Sequence, residues 1–169
     1  MGTMKFRDRQ RKRETAFTLP EVLIALLLLG LFLPSVFAIN GVCLRLVNAS
    51  KESTAAIQSV HDRCETLRNL AFTDLVSISY VQNLTATPAN VSDFCKKATE
   101  VVTISAYPVT HGVTQFTRLP NRTVTNDSIA TDLGSTLVQV TVSTSWSATF
   151  GGRARSEETT TLISNGTKK

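Results

Sequence analysis

Residues 16–34 read AFTLPEVLIALLLLGLFLP, and this apolar run governs how the rest of the chain is interpreted. From Val22 to Ile39 only Gly30, Pro34 and Ser35 interrupt the apolar side chains. Eighteen residues of α-helix span roughly 27 Å, which is close to the hydrocarbon thickness of a bilayer. The run therefore predicts a helix that can cross a membrane.

One acidic side chain, Glu21, lies at the start of the apolar run. A carboxylate in hydrocarbon is costly unless it has a partner. Phe17, Thr18 and Leu19 precede it and Val22 follows. This Phe-Thr-Leu-x-Glu-Val pattern, preceded by a basic segment, resembles the N-terminus of the type IV pilin and type II secretion pseudopilin family.

The resemblance implies a set of processing and assembly steps. A membrane-embedded prepilin peptidase would cleave between Ala16 and Phe17 and then N-methylate Phe17. Glu21 would pair with the methylated amine of a neighbouring subunit, so that the partners are other pilin or pseudopilin subunits. The chain departs from the family pattern in two places, because Gly is usual where Ala16 stands and an aliphatic residue is usual where Pro20 stands.

The positive charge of the chain is concentrated before the cleavage point. The formal net charge is +5, and residues 1–16 carry +4 of it. Such a segment fits a cytoplasmic leader under the positive-inside rule. Because the remainder is nearly neutral, we do not expect nucleic acid to be a partner of the mature chain.

Gly30 and Pro34 predict a kink in the helix, because a proline ring clashes with the carbonyl four residues earlier.

After residue 40 the apolar residues recur at spacings of three and four, which predicts an amphipathic continuation to about Ala71. This apolar stripe consists of Val42, Leu46, Ala49, Ser53, Ala56, Val60, Cys64, Leu67 and Ala71. Arg63 and its charged neighbours are assigned to the polar side.

From Leu75 onward the periodicity shortens to two, which predicts strands. We expect strands at residues 76–80, 101–107, near 115–118, at 137–146 and, after a Gly151-Gly152 turn, at 154–163. Together they predict an antiparallel meander with one face covered by the amphipathic helix.

Three cysteines allow one intrachain disulfide at most. A Cys64–Cys95 bridge would close a loop of about 32 residues and stabilise an exported domain. The alternative is that the cysteines are free buried thiols.

The sequence contains no pattern typical of an active site. His61 and His111 have no metal-ligand spacing with each other or with the cysteines. No phosphate-binding glycine loop or nucleophile elbow occurs. We therefore expect no enzyme, no cofactor and no metal.

The predicted fold class is α+β, with a long N-terminal helix packed on a small antiparallel sheet. The parts are a leader (1–16), a transmembrane or filament-core helix (17–40), its amphipathic continuation (41–72) and a β-rich head (73–169). The resemblance implies a minor pilin or pseudopilin of a type IV pilus-like or type II secretion filament. It would lie in the bacterial inner membrane with its N-terminus cytoplasmic and its head periplasmic.

Two alternatives stay open. Residues 22–34 could be the apolar part of an ordinary signal peptide that is cleaved after Ala38, which would release a periplasmic or secreted β-rich binding module. A single-pass membrane protein would instead retain its leader.

Overall fold

The computed structural model describes residues 18–109, 111–149 and 151–166. The predicted leader and its cleavage point, between Ala16 and Phe17, lie outside these residues. The chain divides into two compact units between Cys43 and Leu44.

The longest element is the helix α1, Leu19–Arg68, of 50 residues. The predicted long N-terminal helix is thus confirmed. Pro20 lies in its first turn, where the backbone N–H groups have no intrahelical acceptor, so a proline costs no hydrogen bond there. The helix passes through Pro34 as continuous α-helix.

Three short helices follow α1. They are α2, Phe72–Leu75, α3, Ile78–Ala86, and α4, Asp93–Lys97. The strand predicted at residues 76–80 is therefore wrong. Its alternation extends over five residues only, whereas Val81 and Thr85, four residues apart, are the buried residues of α3. Here the helical spacing of the buried residues, and not the short alternating pattern, corresponds to the observed structure.

Five strands form one antiparallel sheet in the order β3-β2-β1-β4-β5. Their bounds are β1 Thr99–Ala106, β2 Val113–Arg118, β3 Val124–Ser128, β4 Leu137–Ser147 and β5 Ala154–Ser164. Four of the predicted strands are thus confirmed, and β3 is an additional strand in a region predicted to be mostly loop. The sheet is not a simple meander, because the chain crosses from the β3 edge to place β4 beside β1.

The core lies between one face of the sheet and the second half of α1. Val138, Val140 and Val142 are fully buried on β4 and belong to one cluster with Val60 and Leu67 of the helix. The predicted helix cover is therefore confirmed for the end of the stripe. Val42 and Leu46, at its beginning, are exposed.

The turn between β4 and β5 contains Gly151 and Gly152. Both have positive φ, 95° and 61°. Glycine adopts this conformation without the steric cost that a Cβ brings, which explains the two glycines at the predicted turn.

Candidate assembly helix and its head

The first part of α1 presents apolar side chains to its surroundings. From Leu19 to Val47 its large apolar residues, apart from the half-buried Val36, are between 46% and 76% exposed. A soluble domain rarely exposes so continuous an apolar surface. The helix is long and apolar enough to cross a membrane.

The Glu21 side chain forms hydrogen bonds with Thr18, the residue that immediately precedes α1. Its Oε2 accepts hydrogen bonds from the Thr18 backbone N–H at 2.8 Å and from the Thr18 hydroxyl at 2.9 Å. A carboxylate at the third helical position thereby satisfies the backbone N–H of the residue that caps the helix, as in a capping box. Among the described residues no cation lies within ion-pair distance of Glu21. Within residues 18–109, 111–149 and 151–166 the Glu21 carboxylate is therefore held by hydrogen bonds alone.

Gly30 and Pro34 occupy one turn of this exposed part. Pro34 has no N–H to donate, and an added Cβ at Gly30 would meet nothing within 4 Å. One residue further on, the Ser35 hydroxyl donates to the Leu31 carbonyl at 2.9 Å. The predicted kink stays a prediction.

A buried ion cluster lies in the head. The Glu100 carboxylate on β1 accepts from Arg63 of α1 and from Arg118 of β2, the latter at 3.1 Å between Nε and Oε2. The three side chains are 1%, 2% and 0% exposed, in the order named. The assignment of Arg63 to the polar side of the helix is therefore wrong.

The two guanidinium groups also bond to backbone carbonyls at the ends of short helices. Arg63 donates to the carbonyls of Leu84, at 3.0 Å, and Thr87, and Arg118 donates to that of Cys95 at 2.9 Å. Cations suit the carbonyl end of a helix. The cluster thereby ties α3 and α4 to α1 and to the sheet. Periodicity could not reveal it, because Arg63 and Glu100 are 37 positions apart.

A second polar contact joins α1 to the β4–β5 turn. Glu52 accepts from the Thr149 hydroxyl and from its backbone N–H at 3.1 Å. These hydrogen bonds hold the pKa of the Glu52 carboxyl below its usual range. Beside this contact lies a groove of about 550 Å³, whose walls include Phe94 and Trp146.

All three cysteines are free thiols in the structure. Cys43 is exposed, whereas Cys64 and Cys95 are buried. Burial raises the pKa of the Cys64 thiol to about 11, with smaller contributions from the nearby carboxylates. A Cys64–Cys95 bridge stays a prediction. Within the described residues no group of His, Cys, Asp or Glu is arranged to hold a metal ion.

The cysteines should differ sharply in their reactivity. We expect maleimide to label Cys43 in the folded protein at pH 7, and Cys64 and Cys95 only after unfolding, because the thiolate is the reactive species and both thiols are buried. Mass spectrometry of peptides from labelled protein measures this. Rapid labelling of Cys64 in folded protein would contradict its burial.

No protein-family model, curated protein or solved structure matches the chain. A long apolar N-terminal helix followed by an antiparallel sheet is compatible with a pilin-like architecture. The fold and the exposed helix are therefore the basis for any statement about function.

Proposed function

We propose that the chain is a structural subunit, a minor pilin or pseudopilin, of a type IV pilus-like or type II secretion filament. The observation that carries the proposal is the contrast along α1. Its first part exposes apolar side chains, while its last part is buried in the head from Ala56 to Leu67. The first part of such a helix can pack against lipid or neighbouring helices, and the last part anchors a folded domain.

The N-terminal residues have defined roles in this proposal. Prepilin peptidase cleaves after Ala16 and methylates Phe17, and the head lies in the periplasm. Glu21 then pairs with the new amine of the adjacent subunit. The absence of a cation near Glu21 among the described residues supports this role, because a carboxylate that enters an apolar assembly needs an opposite charge.

The mass of the N-terminal peptide of the native protein tests the proposal. We expect a peptide that begins with methylated Phe17. A peptide that begins at Ile39 would instead indicate a signal peptide and a released module. Retention of residues 1–16 would indicate a simple single-pass membrane protein. Either of the latter results overturns the filament proposal.

A further inference from the structure

The two edges of the sheet differ in length and regularity. In the described part of the chain β5 pairs with β4 alone, over 11 residues and without a register shift. The opposite edge, β3, has five residues, and its pairing with β2 is interrupted by a shift. A long, regular edge strand presents backbone groups with which another strand can pair, whereas short or bulged edges resist pairing. The β5 edge is therefore the more open of the two.

The hydrogen bonds of the β4–β5 hairpin identify which residues of β5 direct their backbone N–H and C=O groups toward the open edge of the sheet. The Ala148 N–H donates to the Arg153 carbonyl at 2.9 Å, and the Asn165 N–H donates to the Thr136 carbonyl at 2.7 Å. Hydrogen-bonded positions alternate along an antiparallel pair, so the odd-numbered residues of β5 bond to β4. The even-numbered residues direct their N–H and C=O groups away from the sheet. These residues are Ala154, Ser156, Glu158, Thr160, Leu162 and Ser164.

The charged side chains of β5 favour pairing with a second β5 strand, and they favour one alignment of the two strands. We propose that β5 pairs antiparallel with β5 of a second copy of this chain, centred on Ser156. In this register Arg155 of each copy lies opposite Glu157 of the other. Centring the pair on Arg155, Glu157 or Glu158 would place like charges opposite each other. Two β5 strands are thus complementary in charge when their antiparallel pairing is centred on Ser156.

The backbone pattern agrees with this register. Ser156 is an outward-facing position, so the two Ser156 residues form a hydrogen-bonded pair, flanked by pairs of Ala154 with Glu158. Arg155 and Glu157 then occupy the non-hydrogen-bonded positions, where opposing side chains approach most closely. Neither forms an ion pair within the described residues of its own chain, although the charge of Arg155 contributes to lowering the pKa of the Glu52 carboxyl. The pairing concerns the head alone and goes beyond the proposed filament function.

Disulfide trapping in the full-length chain in detergent micelles tests the pairing. The parent for the experiment carries Cys43→Ser, which removes the exposed thiol, and Ser156→Cys. We expect mild oxidation to give a disulfide-linked dimer. With Thr160→Cys in place of Ser156→Cys, we expect little dimer, because Thr160 lies beyond the paired segment.

Charge reversal in the Ser156→Cys parent tests the register. In the proposed dimer position 155 of each copy faces position 157 of the other, so this contact occurs twice. Arg155→Glu alone or Glu157→Arg alone therefore creates two contacts between like charges. We expect each to weaken dimer formation about ten-fold, and the double variant Arg155→Glu/Glu157→Arg to restore it. Trp146 fluorescence during thermal unfolding confirms that each variant is folded.

Three results would each overturn the proposal. The first is an absence of dimer from the Ser156→Cys parent, and the second is an equal amount of dimer from the Thr160→Cys protein. The third is a failure of the double variant to recover the dimer formation that the single variants lose. Because these assays do not require cleavage at Ala16, their outcome is independent of the filament proposal.

Discussion

Replacing Glu100 by glutamine is expected to lower the free energy of unfolding of the head by about 3–5 kcal/mol. The substitution preserves the shape of the side chain but removes the only carboxylate among the described residues that contacts the two buried guanidinium groups. Arg63 and Arg118 would then remain buried as uncompensated cations. Desolvation of a charge is repaid in a protein interior only by a well-placed opposite charge, so the loss is much larger than that of one neutral hydrogen bond.

Urea unfolding of the full-length chain in mild detergent measures this effect, with fluorescence of Trp146, the only tryptophan in the chain, as the signal. Glu65→Gln is the matched control. It makes the same chemical change in the exposed Glu65–Arg68 ion pair, whose side chains are 43% and 65% exposed. We expect that variant to lose less than about 0.5 kcal/mol. Equal small losses in both variants would show that Glu100 is not the counter-ion of a buried cluster.

The strands that could be predicted from the sequence are those with a long alternating pattern. On β4 the valines at 138, 140 and 142 alternate with polar residues, Thr144 continues the pattern, and the structure buries that face from Val138 to Thr144. Residues 76–80 alternate equally well over a shorter stretch, yet most of them belong to α3 or lead into it. Five residues do not distinguish the two periods, and the buried pair Val81 and Thr85 decides for the helix.

The ion cluster could not be predicted, because its members are individually ordinary. Arg63 lies among charged residues on an amphipathic helix, where a solvent-facing position is the usual one. Its burial depends on Glu100, which is brought near by the packing of β1 under the helix, and on carbonyls of the α3–α4 region. Such a long-range pairing leaves no local pattern. Glu21, in contrast, stands out from the sequence, because it is the one charge at the start of an apolar run.

Glu21→Ala is expected to reduce incorporation of the subunit into filaments more than ten-fold, while membrane insertion and cleavage after Ala16 stay nearly intact. In the proposed assembly the substitution leaves the methylated amine of the neighbouring Phe17 without its counter-ion. An unpaired charge buried in an apolar interface costs about 3–5 kcal/mol, which corresponds to more than a factor of 100 in an equilibrium constant. In the same proposal insertion and cleavage depend on the apolar run and the basic leader, and the substitution changes neither.

Comparison of sheared-filament and membrane fractions from cells that express each variant measures incorporation, and the N-terminal mass measures cleavage. Glu65→Ala is the control, since it removes a carboxylate from the exposed surface of the same helix. Glu21→Gln separates charge from hydrogen bonding, because the amide oxygen can still accept from Thr18 as the carboxylate does. If Glu21→Gln assembles as well as the unmodified chain, Glu21 acts by capping its own helix and not by pairing with a neighbour. If it fails as Glu21→Ala does, the charge itself is required, because the helix cap is then present without the ion pair.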